Sequence, residues 1–297
     1  MSGANKSFKI KLLAILAIFL TWNYTYALDG AVHVVSDPRL SHLGRIINEQ
    51  LLEGPSISGL VVTVGPESLR QQLNANSGDS ILALYTSSSE FRHIMATSVI
   101  TNVTSARVSA IFNDVDPRYL VSLANALSPV GKKLIAVSPD TDLIINKSFE
   151  KFASEKGARI SYLGSGDTKG MLNQMDSADV LIAYKDDALF SDTTIKPIIS
   201  SLYRRKKVLI GNSRRLTTSG ALASVHMNMD SYLTKAIVSI NQSLKTGVPI
   251  GLRYSESIDV SVNKTLAKAL GFYATDMDEN SLQAAIIRAV ESGRVEL

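Results

Sequence analysis

Two stretches decide the fold: ADVLIAY at residues 178–184 and KVLIG at residues 207–211. Each is a short apolar run that ends in polar residues, KDD after the first and NS after the second. The apolar residues between the two runs recur at helical spacings: Leu189, Ile195, Ile198, Ile199 and Leu202. Apolar strands that break into polar residues before a helix are typical of an open parallel sheet, which binds ligands at the carboxyl ends of its strands.

The rest of the chain repeats this alternation of strand and helix. Further strands are predicted at residues 31–35, 59–64, 80–85, 107–112, 132–137, 157–163 and 220–225. Strict alternation predicts parallel sheets with right-handed crossovers. The pattern breaks near Asn113–Pro117 and then starts again, and a chain of 297 residues is long for a single core. The sequence therefore predicts an α/β protein made of two Rossmann-like lobes.

Composition and motifs argue against several kinds of chemistry. The chain has no cysteine, which excludes disulfides and thiolate ligands or nucleophiles. None of its four histidines lies within four residues of another, and no nucleophile elbow or Walker loop is present. The adjacent acidic residues Asp114 and Asp116, and likewise Asp186 and Asp187, are interpreted as helix caps and cleft lining. The sequence predicts no catalytic residue, no metal site and no cofactor.

The first 27 residues have the order of a secretory signal peptide. Three lysines precede the apolar run LLAILAIFL at residues 12–20, and TYA at residues 25–27 offers a cleavage site after Ala27. An uncleaved membrane anchor is the alternative interpretation. Cleavage would remove three of the 31 basic residues and none of the 27 acidic ones, so the mature charge is nearly balanced. The expected mature form is periplasmic and not membrane-spanning, with no nucleic acid as partner.

Three segments between residues 107 and 273 resemble a known family. They are SGALAS at 219–224, LKTGVP at 244–249 and NKTLAKALG at 263–271. In order and spacing they resemble substrate-binding proteins of ABC transporters, specifically the tryptophan-binder-like branch of the type I periplasmic class. The resemblance implies a Venus-flytrap fold whose chain crosses between lobes near Val115, Val225–Met227 and Leu252–Glu256. Lobe 1 would comprise residues 28–115 and 228–252, and lobe 2 residues 116–227 and 253–275.

Polar and aromatic residues at the strand ends are the expected ligand contacts. A small-molecule site needs donors and acceptors, an aromatic side chain or two, and a hinge. The candidates that meet this need are Tyr85, Thr86, Ser87, Asn113, Asp114, Ser138, Tyr184 and Asn212. Tyr85 and Tyr184 end comparable strands of the two lobes and are expected to close over a flat or apolar part of the ligand.

These features predict a periplasmic solute-binding protein of an ABC uptake system, not an enzyme. Its partners would be a small molecule, with amino acids and aromatic compounds as candidates, and an ABC permease. The alternative is a periplasmic sensor or accessory protein that uses the same fold to contact a membrane partner.

Two further segments each allow two interpretations. The basic cluster at residues 204–207 is a solvated helix end or a docking patch, and the amphipathic C-terminal helix at residues 276–297 packs on a lobe or docks a partner.

Overall fold

The computed structural model describes residues 32–51, 59–75, 78–98, 107–127, 134–139, 150–163, 167–183, 189–270 and 278–292, with backbone alone at 134–139 and 160–163. The chain divides into two compact units and passes between them three times. Unit 1 comprises Met1–Asn113 and Leu233–Tyr254, and unit 2 comprises Asp114–Tyr232 and Ser255–Leu297. The fold is therefore α/β with two lobes, as predicted.

Unit 1 is built on a five-stranded parallel sheet in the order β1-β2-β3-β4-β10. Its strands are β1 (Val32–Ser36), β2 (Leu60–Val64), β3 (Ser80–Leu84), β4 (Val108–Phe112) and β10 (Leu252–Tyr254). Its helices are α1 (Ser41–Leu51), α2 (Pro66–Ala75), α3 (Ser88–Thr97) and most of α8 (Met229–Thr246). Pro66 opens α2 because the first turn of a helix does not need the backbone N–H that proline lacks.

Unit 2 has a six-stranded sheet in the order β11-β9-β8-β7-β5-β6. Its strands are β5 (Leu134–Pro139), β6 (Ala158–Leu163), β7 (Val180–Ala183), β8 (Val208–Gly211), β9 (Ala223–Met227) and β11 (Ile258–Val262). Its described α-helices are α4 (Pro117–Leu127), α5 (Thr168–Gln174), α6 (Ile195–Arg204), α7 (Arg214–Ser219), α9 (Lys264–Ala269) and α10 (Glu279–Glu291).

The apolar strand β7 is buried on both faces of this sheet. In β7, Val180 and Ile182 join one core cluster, while Leu181 and Ala183 join the other. Successive side chains of a strand point to opposite faces, so a strand covered on both sides needs an unbroken apolar run. This is the physical reason why the run predicts a central parallel strand.

One strand departs from the parallel pattern. β11 pairs antiparallel with β9, with Ile258 opposite Met227 and Asp259 opposite His226. Its sequence IDVSV alternates apolar and polar residues, as suits an edge strand, and so lacks the apolar run on which the strand predictions rest. The residues Val225–Met227, where the resemblance implies a crossing, lie within β9.

The C-terminal helix α10 is part of the core of unit 2. Its side chains Leu282, Ile286 and Val290 are buried in the same cluster as residues of α4 and β11. Asp278 caps the helix by accepting a hydrogen bond from the backbone N–H of Ser281 at 2.8 Å. Hydrogen bonding by the Ser281 side chain, and to a smaller extent by this backbone N–H, lowers the pKa of Asp278. The amphipathic face predicted from the sequence is therefore used for packing within the chain.

Candidate functional site

The carboxyl end of the unit 1 sheet is the first part of the candidate site. Because its strands are parallel, the residues that follow them lie along one end of the sheet. Tyr85 follows β3 and Asn113 follows β4, and both were predicted as ligand contacts. The backbone N–H of Asn113 donates to the carbonyl oxygen of Thr86 at 3.3 Å. The structure thus brings the Tyr85–Ser87 segment and Asn113 together.

Tyr85 has an unusual backbone conformation at this position. Its φ angle is +53°, in the left-handed region that residues other than glycine seldom adopt, and its side chain is buried. Such a conformation costs about 1–3 kcal/mol and persists where the surrounding structure enforces it, often at functional sites. The next residue, Thr86, is also buried, and its hydroxyl donates to the carbonyl oxygen of Leu84.

Ser87 caps helix α3. Its hydroxyl accepts a hydrogen bond from the backbone N–H of Glu90 at 3.3 Å, while its own backbone N–H donates to the Glu90 carboxylate at 2.9 Å. This reciprocal capping box satisfies backbone donors that the first turn of a helix leaves open. Ser87, a predicted ligand contact, is therefore also the N-cap residue of α3.

The two acidic residues after β4 have different surroundings. The carboxylate of Asp116 is buried and accepts hydrogen bonds from the guanidinium of Arg118 at 2.6–3.1 Å and from the backbone N–H of Arg118 at 2.9 Å. Asp116 therefore caps α4 and is held in an ion pair. Asp114 is half-buried beside Asn113, where unit 2 begins.

At the same end of unit 1, the side chain of Asp37 caps helix α2, a contact that was not predicted from the sequence. Asp37 follows β1, and its carboxylate accepts backbone hydrogen bonds from Ser68 at 2.6 Å and Glu67 at 3.3 Å, in the first turn of α2. Only the tertiary structure brings Asp37 to a helix 30 residues further along the chain. The predicted ligand contacts of unit 1 lie after β3 and β4.

The carboxyl end of the unit 2 sheet carries the second group of candidates. Asn212 follows β8 and is half-buried, and Ser213 precedes α7 without a side-chain capping bond. Ser138 lies within β5 opposite Tyr162, and its side chain is outside the described part. Tyr184, Asp186 and Asp187 also lie outside the described residues.

Three residues near the end of β9 were not predicted as part of a site. His226 faces Asp259 across the β9–β11 pair, and the side-chain amide of Asn228 donates to the Asp259 carboxylate at 3.1 and 3.3 Å. Nδ1 of His226 is buried and has no hydrogen-bond partner among the described residues. This juxtaposition depends on the antiparallel pairing of β11, so no spacing in the sequence signals it.

The pKa of His226 is lowered, first because burial disfavours the imidazolium and to a smaller extent because of Arg214, while Asp259 and Glu279 oppose the shift. Between the lowered pKa and the unfolded value near 6.5, the unfolded chain binds the proton and the folded chain does not. We therefore expect thermal stability to fall as the pH drops below 6.5, and to fall less in His226→Gln. Melting temperatures between pH 7.5 and 5.5 measure both slopes.

The exposed histidine His33 provides the control for this pH dependence. Its replacement by glutamine gives the matched variant at an exposed position. The pKa of Asp278 is also lowered from its ordinary value of 3.8, so its contribution to stability is lost only below about pH 5, outside this pH range. Equal slopes in wild type and His226→Gln would show that His226 does not titrate in this way.

Two of the four residues of the basic cluster at residues 204–207 are bound within unit 2. Arg205 donates to the Asp176 carboxylate and to the carbonyl oxygen of Leu172, both at 2.9 Å. Lys207 donates to the carbonyl oxygen of Ala178 and lies 3.8 Å from the carboxylate of Asp179. These contacts favour the interpretation as a helix end over a docking patch.

The described residues lack a membrane-spanning helix and a metal-binding cluster. Within the described ranges, no helix is both long and apolar enough to cross a membrane. The same ranges contain no cluster of three or more histidine, aspartate or glutamate side chains that could hold a metal ion.

The two lobes and their sheets define the fold class of type I periplasmic binding proteins. The structure is similar to a ligand-free, open substrate-binding protein with adhesive properties from Clostridium difficile, with a TM-score of 0.56, 16% identity and coverage of 84% of this chain and 97% of that one. It is also similar to an ABC domain in complex with L-Trp from Streptococcus pneumonia, with a TM-score of 0.50, 16% identity and coverage of 83% and 85%. No family model and no curated protein matches the sequence.

Proposed function

We propose that the protein binds a small solute with the residues at the carboxyl ends of its two sheets. The main support for this proposal is that Tyr85, at the end of a central strand, is buried and has a strained left-handed backbone conformation. Open α/β sheets bind ligands at this end, and the half-buried Asn113 and Asn212 offer amide donors and acceptors there. The remaining proposed contacts are Thr86, Ser87, Asp114, Ser138 and Tyr184.

The proposal includes closure of the two lobes on the ligand. The chain passes between the units three times, as suits a hinge of several segments. Closure would remove the ligand and its polar contacts from water, so an unpaired polar group would cost about 1–3 kcal/mol. Specificity would thus depend on amides and hydroxyls of both units.

We further propose that the protein is periplasmic and delivers its solute to an ABC permease. The support is the signal-like N-terminus together with the fold, which the similar Clostridium difficile substrate-binding protein shares. A permease and an ATPase encoded beside the gene would support transport, whereas a neighbouring receptor or histidine kinase would favour a sensor. The proposal assigns no catalytic role to any residue.

A thermal-shift screen across amino acids, sugars and small anions tests binding. A ligand at 100 times its dissociation constant stabilises the folded state by about 2.7 kcal/mol. For a ligand found in this way, we expect Asn212→Ala and Tyr184→Ala each to weaken affinity about tenfold or more, or about 1.4 kcal/mol. Isothermal titration calorimetry measures the affinity, and the melting temperature of the ligand-free protein is expected to change little.

Asn74→Ala is the matched control, since Asn74 is exposed in α2 and lies away from the strand ends. It is expected to leave affinity unchanged. If Asn212→Ala and Tyr184→Ala bind the ligand as tightly as wild type, the site lies elsewhere. If they unfold the ligand-free protein, these residues belong to the core.

A further inference from the structure

Unit 1 contains a cavity at the opposite, amino end of its sheet. The starts of β2, β3 and β4 line it on one side, with Leu60, Ser80 and Arg107 among the lining residues. The end of α8 lines the other side, together with Gly247, Pro249 and Ile250. The cavity has a volume of about 250 Å³, just below the range of about 300–1,000 Å³ that is usual for drug-sized ligands. It therefore has room for a single small ring or a short chain.

The wall formed by the segment after α8 is fixed by side-chain hydrogen bonds. The hydroxyl of Ser243 donates to the carbonyl oxygen of Val248 at 2.6 Å. The hydroxyl of Ser109, in β4, accepts from the backbone N–H of Gly251 at 3.1 Å. The carbonyl oxygen of Gly251 in turn accepts from the N–H of Ala110. Because both ends of this segment are tied down, the cavity is formed before any ligand arrives, which lowers the entropic cost of binding.

The lining combines an apolar interior with one charged group. Leucine and isoleucine side chains and Pro249 supply the apolar part: Leu60, Ile81, Leu82, Leu244 and Ile250. Among the described residues that line the cavity, Arg107 is the one ionisable residue. It is exposed and donates from Nη1 to the carbonyl oxygen of Gly78, which holds it at the start of β4. A guanidinium presents five N–H donors and suits planar anions, above all carboxylates.

Two neighbouring features oppose a negative ligand, and Lys245 offsets one of them. The carboxylate of Asp79 lies near Gly59, and the C-terminal end of α8 carries the negative end of the helix dipole, about half a unit charge. Lys245 in the last turn of α8 offsets the dipole. Arg107 carries a full positive charge and several N–H donors, and it therefore favours a negatively charged ligand at the start of β4.

We propose that this cavity binds a small carboxylate with an apolar body, separately from the solute at the carboxyl ends of the sheets. The carboxylate pairs with Arg107, and the ring or chain fills the apolar space against Leu60 and Ile250. This second site does not depend on the proposed function of the strand-end residues.

A titration of the full chain with benzoate tests the proposal. NMR signals of isoleucine and leucine methyl groups monitor the binding. Benzoate is one ring with a carboxylate, and benzamide is its neutral isostere. The methyl signals of Ile250 and Leu60 are expected to shift on addition of benzoate, while that of Ile210 in unit 2 stays in place. We expect benzoate to bind about fivefold more tightly than benzamide, which is the upper range for an exposed ion pair.

Two variants distinguish the contribution of the Arg107 charge to binding from that of the cavity volume. Arg107→Gln is expected to remove the preference for benzoate over benzamide, whereas Arg45→Gln, at an exposed arginine of α1, keeps it. Ser80→Phe, at an exposed position that lines the cavity, is expected to abolish the binding of both molecules. Equal binding of the two molecules by the wild type, or absent shifts at Ile250 and Leu60, would overturn the proposal. An unchanged preference in Arg107→Gln would also overturn it, whether or not Ser80→Phe folds.

Discussion

Replacement of Ile286 by alanine is expected to lower the free energy of unfolding of unit 2 by about 2–5 kcal/mol. Ile286 is 1% exposed and packs, with Leu282 and Val290, into the cluster that contains residues of α4 and β11. The substitution removes buried methyl and methylene groups and leaves a cavity that the surrounding side chains fill only in part. Urea denaturation followed by circular dichroism measures the change.

Val238→Ala is the matched control for Ile286→Ala. Val238 is also an aliphatic residue within a helix, but it is 60% exposed in α8. Its replacement is expected to change stability by less than about 0.5 kcal/mol. If the two variants are equally stable, α10 does not contribute to the core, and its apolar face is available to a partner.

Replacement of Gly65 by alanine is expected to destabilise unit 1 by about 2–4 kcal/mol. Gly65 has a φ angle of +104° between β2 and α2, a conformation that an L-residue seldom adopts. A Cβ atom there would also collide with the carboxylate of Asp37, which caps α2 through Ser68 and Glu67. The variant therefore combines backbone strain with the loss of a helix cap. Chemical denaturation gives its magnitude.

The variant Gly247→Ala distinguishes the cost of backbone strain from the cost of losing the helix cap. Gly247 has a φ angle of +68°, and no atom lies within 4 Å of the position its Cβ would occupy. Its replacement is expected to cost about 1 kcal/mol, from backbone strain alone. The Asp37→Ala variant, which removes only the cap, is expected to cost about 0.5–2 kcal/mol. A cost for Gly65→Ala no larger than that for Gly247→Ala would mean that the Asp37 cap adds nothing to stability.

The candidate site was predictable to the extent that it depends on strand ends. Tyr85 and Asn113 lie together in unit 1 and Asn212 lies at the end of β8, because parallel strands of one sheet end on the same side. The contact of Tyr184 with a ligand stays a prediction. The sequence could not indicate that Tyr85 has a positive φ angle, since no local motif requires one there.

The sequence by itself determined the features that depend on local pattern. Unbroken apolar runs such as 180–183 specify strands buried on both faces, and the spacing of Leu282, Ile286 and Val290 specifies a helix with one buried face. The Ser87–Glu90 capping box also lies within a few residues of chain. Each of these features is set by side-chain periodicity or by hydrogen bonds between near neighbours.

The tertiary structure alone decided which distant residues meet. It pairs β11 antiparallel with β9 and so places Asp259 opposite His226, and it brings the Asp37 carboxylate to the start of α2. It also forms the cavity beside Arg107 from the starts of three strands and the end of α8. The physical reason is that strand order and direction follow from burial over the whole sheet, which no short window of sequence contains.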